Sequence, residues 1–146
     1  MEVLQNLHTA KSNNQKLFSL LIDPDKTGGS DLERTAISAQ NAGVDMFFVG
    51  GSLLVTNTLF DCIQIIKANC DIPVVLFPGD NMQVVPNADA ILLLSVISGR
   101  NAEMLIGKHV VAAPSLKNSG LEIIPTGYML IDSGRPTTAS YMSNTN

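Results

Sequence analysis

Apolar residues in this chain form short continuous runs, and the segments between several of them have helical spacing. Runs that do not alternate with polar residues are typical of strands covered on both faces, as in a parallel sheet. Five such runs are predicted to be strands: Lys16–Ile22, Met46–Gly50, Val74–Phe77, Ala90–Leu94 and Gly127–Ile131. The pattern therefore predicts an α/β domain.

Two helices are predicted between the first three strands. Ser30 and Glu33 have the S-x-x-E spacing of a capping box at the start of the first helix, and Gly43 is placed to end it. Thr56 or Asn57 is the predicted cap of the second helix. The apolar faces consist of Leu32, Ala36, Ala39 and Ala42 in the first helix and of Leu59, Ile63 and Ile66 in the second.

Alternating strands and helices predict right-handed crossovers and a parallel sheet. The connection between the third and fourth strands is too short and proline-broken for a long helix, and a short helix is predicted over residues 101–107. Both an open doubly wound sheet and a (β/α)₈ barrel fit this order. A complete barrel usually takes about 250 residues, so 146 residues with five strands would form roughly half of one.

Composition narrows the class of protein. Apolar residues make up 45% of the chain and charged residues 15%, below the usual quarter or so, which predicts a large buried fraction. The net charge is −4 and no cluster of Lys or Arg occurs, which argues against nucleic-acid binding. The sequence has neither a membrane-spanning apolar stretch nor a signal-peptide pattern, which predicts a cytoplasmic protein. Cys62 and Cys70 are predicted to be buried thiols.

Polar and small residues follow the first two predicted strands, at the end of a parallel sheet where ligands usually bind. Asp23, which follows the first strand, could supply a carboxylate to Mg²⁺, a cation that takes one or two carboxylates, water and substrate phosphates. A βα turn closed by a salt bridge to Lys26 is the alternative. Gly50 and Gly51 would let an anion approach the backbone, and the hydroxyl of Ser52 could bind a metal or a phosphate.

Other motifs give less specific indications. Arg135 could clamp a phosphate with two hydrogen bonds, unless its segment is simply a flexible loop. His8 and His109 stand alone and receive no catalytic role. Neither a dinucleotide-binding nor a Walker motif occurs, and Lys108 and Lys117 do not lie on predicted strands, which gives a Schiff-base aldolase little support.

Several segments together resemble the geranylgeranylglyceryl phosphate synthase family, in the group that includes bacterial members. They are "LLIDPDK", "FFVGGSLL", "PVVLFPG", "ILLLSVISGRNAEMLIGKHVVAAP" and "PTGYMLIDSGRPTTASYMSNT". The resemblance implies a (β/α)₈ barrel of which about the first five strands are present. It also implies a prenyltransferase that joins a prenyl diphosphate to the C3 hydroxyl of sn-glycerol 1-phosphate, with Asp23 and Ser52 at the Mg²⁺ site.

The resemblance also sets expectations about the limits of this chain. Residues 1–146 are expected to form a single partial barrel domain, an N-terminal fragment that is inactive alone. The "YLEAGSG"-like strand end, whose glutamate is the family's expected general base, does not occur in the sequence, so no catalytic residue is assigned. Gly50, Gly51, Lys26 and Arg135 are candidate substrate-binding residues. A homo-oligomer is compatible with the resemblance, since family members often form oligomers.

Two other functions stay open at this point. One is a phosphate-binding barrel isomerase or aldolase, and the other is a non-catalytic remnant that binds prenyl diphosphate. The length of the prenyl chain does not follow from the sequence.

Overall fold

The computed structural model describes residues 2–51, 58–80, 83–131 and 134–145, which contain a five-stranded parallel sheet. The strands lie in the sheet in the same order as in the chain. A doubly wound sheet would reverse direction at one point, so this order is that of consecutive strands in a (β/α) barrel. The strands are β1 Ser19–Ile22, β2 Met46–Val49, β3 Val74–Leu76, β4 Ala90–Val96 and β5 Glu122–Tyr128.

Helices cover the sheet and connect its strands. The α-helices are α1 Val3–Ser12, α2 Gly29–Asn41, α3 Leu59–Asn69, α4 Lys108–Asn118 and α5 Thr138–Ser143, and a π-helical turn, Glu103–Gly107, leads directly into α4. The two helices predicted between the first three strands are confirmed as α2 and α3. The connection between β3 and β4 contains no helix in its described residues, as predicted.

The start of α2 differs from the prediction. Gly28 is its N-cap, and the cap has no side-chain hydrogen bond, so the capping box between Ser30 and Glu33 is wrong. Gly29 has a φ of +54°, which lets the chain turn into the helix before Ser30 is reached. Gly43, with a φ of +74°, ends the helix as predicted.

The start of α3 is also displaced. The helix begins at Leu59 and its N-cap is Thr58, so the cap lies one or two residues later than predicted. Thr56 and Asn57 lie outside the described residues. Leu59, Ile63 and Ile66 are buried, which confirms the predicted apolar face.

The fifth strand lies earlier than its predicted position at Gly127–Ile131. In the structure, β5 pairs with β4 from Ala90 opposite Glu122 to Val96 opposite Tyr128. Pro125 lies in the middle of β5 and made this segment look like a loop. In the described residues β5 pairs only with β4, and proline within sheets is found mainly in strands that have one unpaired side.

The helix predicted over residues 101–107 continues much further than expected. Its π-helical turn leads into α4, which runs to Asn118 and contains Pro114. A proline inside a helix removes one backbone hydrogen bond, and this one obscured the helical pattern. Neither α1 nor α5 was predicted.

The core lies on both faces of the sheet. On the outer face, residues of α2, α3 and α4 pack against the strands and bury Leu32, Ile63 and Leu116. On the inner face, α1 inserts Val3 into a smaller cluster with residues of β3, β4 and β5. Cys62 and Cys70 are buried free thiols, as predicted. In the described part of the chain, no helix combines the length and apolar character that crossing a membrane requires.

Candidate functional site

Asp23 begins a tight turn directly after β1. Its Oδ2 atom lies 2.7 Å from the ammonium nitrogen of Lys26, and its Oδ1 atom accepts a hydrogen bond from the backbone N–H of Asp25 at 3.2 Å. Its carbonyl oxygen accepts a further bond from the backbone N–H of Lys26 at 3.0 Å. The side chain is 27% exposed. The turn with a salt bridge is therefore real, and it presents the carboxylate at the end of the sheet.

The ion pair between Asp23 and Lys26 changes the pKa of the lysine but adds little to the stability of the fold. The hydrogen bond to the Asp23 carboxylate, followed by the attraction between the two charges, raises the pKa of Lys26 above its ordinary value. The Lys26 side chain is 79% exposed. Exposed pairs of this kind stabilise a protein little, so Lys26 can exchange Asp23 for another anion at small cost.

The chemistry of Asp23 fits a hard cation. An ionised carboxylate can accept about four interactions through its lone pairs. The N–H of Asp25 and the ammonium group of Lys26 take two of them at Asp23. Mg²⁺ needs few protein ligands because water and phosphate oxygens complete its shell. Ser52, the other predicted ligand, lies outside the described residues. In the described ranges, no group of three or more Asp, Glu, His or Cys residues could hold a metal by itself.

Gly50 lies level with Asp23 on the neighbouring strand. Ile22 pairs with Val49, and the N–H of Gly50 donates to the carbonyl of Ile22 at 3.0 Å. Gly50 has a φ of +151°, and a Cβ atom there would lie 2.2 Å from the carbonyl oxygen of Phe77. Packing of the β2 end against the β3 end therefore requires this glycine. Sequence reasoning found the position but expected a ligand, rather than Phe77, to approach it.

An apolar cleft opens beside these strand ends. It lies between β4, α4 and α5, with Gly51 and Gly79 in its wall. Its other lining residues are Phe77, Pro78, Asp80, Val84, Ile91, Leu92, Leu93, Leu94, Val96, Met104, Lys108, His109, Ala112, Leu116, Tyr128, Ala139 and Met142.

Sequence reasoning placed a ligand site at the strand ends but did not assign α4 to it, although this helix carries a signal. Met104, Lys108, Ala112 and Leu116 recur at every fourth position and all line the cleft. This spacing places side chains on one face of a helix. The predicted helix ends at residue 107, so three of these four residues lie outside it.

Polar contacts tie the cleft to the strand ends. The carboxylate of Asp80 lies 2.5 Å from the ammonium nitrogen of Lys108. The side-chain amide of Gln83 accepts from the N–H of Gly79 at 2.9 Å and donates to the carbonyl of Gly51 at 3.4 Å. The ring of His109 bonds to the carbonyl of Leu94 at 2.8 Å.

The remaining predicted residues are placed differently. Arg135 is exposed between β5 and α5 and does not line the cleft, so its role in binding a phosphate stays a prediction. His8 is exposed on α1.

Five consecutive parallel strands with a cleft at their carboxyl ends define a protein of the (β/α)-barrel class. The sequence profile of the PcrB family matches residues 10–146. The chain therefore belongs to the PcrB family.

Curated relatives carry the name geranylgeranylglyceryl phosphate synthase. The one from Chitinophaga pinensis is 58% identical over 135 residues, which are 92% of this chain and 54% of that protein. The one from Spirosoma linguale is 49% identical over 139 residues, or 95% of this chain and 56% of that protein. The chain thus spans little more than half the length of the curated relatives it matches.

Solved structures agree with this assignment. The (S)-3-O-geranylgeranylglyceryl phosphate synthase of Thermoplasma acidophilum, solved in complex with its substrate sn-glycerol-1-phosphate, is 33% identical with a TM-score of 0.90. The match covers 99% of this chain and 58% of that one. The enzyme of Thermoplasma volcanium is 32% identical with a TM-score of 0.89, and the match covers 100% and 58% of the two chains.

Proposed function

We propose that these residues form the prenyl diphosphate half of a Mg²⁺-dependent prenyltransferase. The reaction joins C1 of a prenyl diphosphate to the C3 hydroxyl oxygen of sn-glycerol 1-phosphate and releases diphosphate. The observation that carries the proposal is the apolar cleft, which opens at Gly51 and Gly79 on the same edge of the sheet as Asp23. An apolar tail joined to an anionic head is the kind of ligand that such a site fits.

The proposal gives each part of this ligand a position. The hydrocarbon would lie along the cleft, among the aliphatic side chains of β4 and α4. Asp23, with Ser52, would hold the cation beside the diphosphate. A bound Mg²⁺ supplies charge neutralisation to the departing diphosphate. The apolar wall excludes water from the allylic carbon while that carbon gains cationic character.

Lys26 has a defined part in this proposal. Its ammonium group shares the Asp23 carboxylate that would hold the cation, and its side chain reaches into solvent. When the carboxylate binds a cation, Lys26 is free to pair with a phosphate oxygen instead. Gly51 would present its backbone to the same anion, whereas Gly50 acts by letting β2 and β3 approach. Arg135 would contact the substrate only if its exposed segment approached the strand ends.

The 146 residues alone are expected to bind without turnover. The resemblance assigns the general base and the glycerol phosphate site to segments that are not among them. The bond between C1 and the diphosphate oxygen must break while the hydroxyl loses its proton, and no described residue at the cleft is assigned to take that proton.

A chimera tests the proposal directly. Residues 1–146 would be joined to the part of the Chitinophaga pinensis relative that follows its matched segment, and product formation would be measured with prenyl diphosphates of several lengths. We expect the chimera to be active with Mg²⁺ and the 146-residue chain to be inactive. Asp23→Ala should abolish the activity of the chimera, and Asp25→Ala, in the same turn, should retain most of it. An inactive but folded chimera, or full activity in Asp23→Ala, would contradict the proposal.

A further inference from the structure

Two charged side chains stand in the wall of the otherwise apolar cleft. Asp80 follows β3 and Lys108 begins α4, and their charged atoms lie 2.5 Å apart. The side chains are 38% and 31% exposed, respectively. Among the described residues that line the cleft, these two are the only Asp, Glu, Lys or Arg. An ion pair this exposed contributes little to stability, so stability is a weak reason for placing it in an apolar wall.

The pair lies at the end of the cleft where the strands finish. Asp80 follows Gly79, and Gln83 links the loop of Gly79 to Gly51 at the end of β2. Lys108 is the first residue of α4, and the stripe formed by Ala112 and Leu116 continues from it along the cleft. A ligand whose tail follows this stripe would therefore place its head group beside Lys108.

We propose that Lys108 binds the diphosphate of the prenyl substrate and that Asp80 holds the lysine when no substrate is present. The inference rests on the proposed function, because it takes the tail in the cleft to be a prenyl chain. A lysine suits this exchange, since its ammonium group has three donors on a flexible stem and can move between anions. A diphosphate carries more negative charge than one carboxylate and forms strong charge-assisted hydrogen bonds.

The two members of the pair should therefore have opposite effects. Loss of the lysine removes a contact with the ligand. Loss of the Asp80 charge removes both the competitor for Lys108 and a negative charge beside the bound diphosphate. A purely structural ion pair would behave differently, because breaking it from either side would disturb the cleft in the same direction.

The test measures binding of geranylgeranyl diphosphate to the 146-residue chain by calorimetry in the presence of Mg²⁺, with geranylgeraniol as the ligand without diphosphate. Lys108→Met should weaken diphosphate binding about tenfold or more, the range expected for a charged hydrogen bond. Asp80→Asn should tighten it about threefold, the scale of a partly exposed ion pair. Lys108→Arg should keep most of the affinity, and binding of the alcohol should stay within about twofold in every variant.

Circular dichroism and thermal melting would establish that each variant is folded. Unchanged diphosphate binding in Lys108→Met, or a change of the same sign in Lys108→Met and Asp80→Asn, would overturn the inference. Should Lys108→Met not fold, failure of Asp80→Asn to tighten binding overturns it alone. If the wild-type chain binds the diphosphate through Asp23 while Lys108→Met is unaffected, only this inference fails. If the wild-type chain does not bind the diphosphate at all, the proposed function fails as well.

Discussion

Gly50 is held by its neighbours on two strands. Its N–H pairs with Ile22, and the carbonyl of Phe77 occupies the place where a side chain would begin. The residue therefore sets the distance between the strand ends on which Asp23 and Gly51 depend. The carbonyl oxygen belongs to the backbone, so a side chain at position 50 can be accommodated only by moving β3.

We predict that Gly50→Ala lowers the free energy of unfolding by about 2 kcal/mol or more, from a backbone clash added to an unfavourable φ. Gly127→Ala is the matched control. Among the described residues, a Cβ atom at Gly127 would meet only the side chain of Ile97, at an ordinary 3.7 Å, so this variant should stay within about 0.5 kcal/mol of the wild type. Urea denaturation measures both. Equal stability of the two variants would show that the strand ends adapt.

Cys62 gives a prediction about pH. It is 4% exposed, and burial raises the pKa of its thiol from 9.0 to about 11. Below pH 9 the thiol is protonated in both the folded and the unfolded chain, so it has no effect on their balance. Between pH 9 and 11 the unfolded chain loses this proton and the folded chain retains it, which favours unfolding by roughly 2 kcal/mol. Denaturation from pH 8 to 11 should therefore show a steeper loss of stability in the wild type than in Cys62→Ala. Parallel curves would contradict this assignment.

Contacts between side chains could be predicted from the sequence where the two residues are close along the chain. Asp23 and Lys26 are three positions apart, and both the turn and the ion pair between them could be predicted from the motif. Asp80 and Lys108 are 28 residues apart, and their contact depends on where α4 packs. Sequence spacing alone does not predict a contact between two charged residues when the helix that carries one of them was not predicted.

At the scale of elements, continuous apolar runs located four of the five strands. The errors came from proline and from polar helices. Pro125 argued against a strand at β5 and Pro114 against a helix at α4, because proline lacks a backbone N–H donor and is common in loops. The helix α1 has a weak local signal because its stability comes partly from a distant residue. The carboxylate of Glu122 accepts hydrogen bonds from the N–H groups of Val3 and Leu4 at 2.6 and 2.9 Å.

We predict that Glu122→Ala releases the N-terminus of α1 from β5. The first N–H groups of a helix need an acceptor, and loss of a carboxylate cap costs about 1 to 2 kcal/mol. Hydrogen exchange of the α1 amides should accelerate about tenfold. Glu2→Ala is the matched control, because Glu2 is the N-cap residue but makes no side-chain cap hydrogen bond. Similar exchange rates in the two variants would mean that α1 does not depend on Glu122.

At the scale of the whole molecule, the low content of charged residues is accompanied by apolar side chains that remain exposed. Leu21 on β1 is 55% exposed, although its neighbours Leu20 and Ile22 pack in the main core. Successive strand residues face opposite sides of a sheet, so Leu21 lies on the inner face, as does Phe48 opposite it. In the described residues, β1 and β5 each pair with one strand only. Leu21 is thus an apolar side chain that the described part of the chain leaves exposed on the inner face of the sheet.

The alternation of strands and helices could be predicted from the sequence, but the set of residues that line the cleft was not. Apolar periodicity reports burial, and it does not distinguish a side chain in a packed core from one in the wall of a cleft. The family resemblance supplied the substrate class and the role of Asp23. Only the structure brought Gly51, Gly79 and Lys108 to one opening.

The most direct test of the central claim is the binding of geranylgeranyl diphosphate to these 146 residues, measured by calorimetry with and without Mg²⁺. Asp23→Ala would be compared with Asp25→Ala, which removes the same charge from the same turn. We predict binding that depends on Mg²⁺, that weakens at least about tenfold in Asp23→Ala, as expected for losing a charged ligand, and that persists in Asp25→Ala. An affinity that does not depend on Mg²⁺, or that is equal in the two variants, would contradict the account.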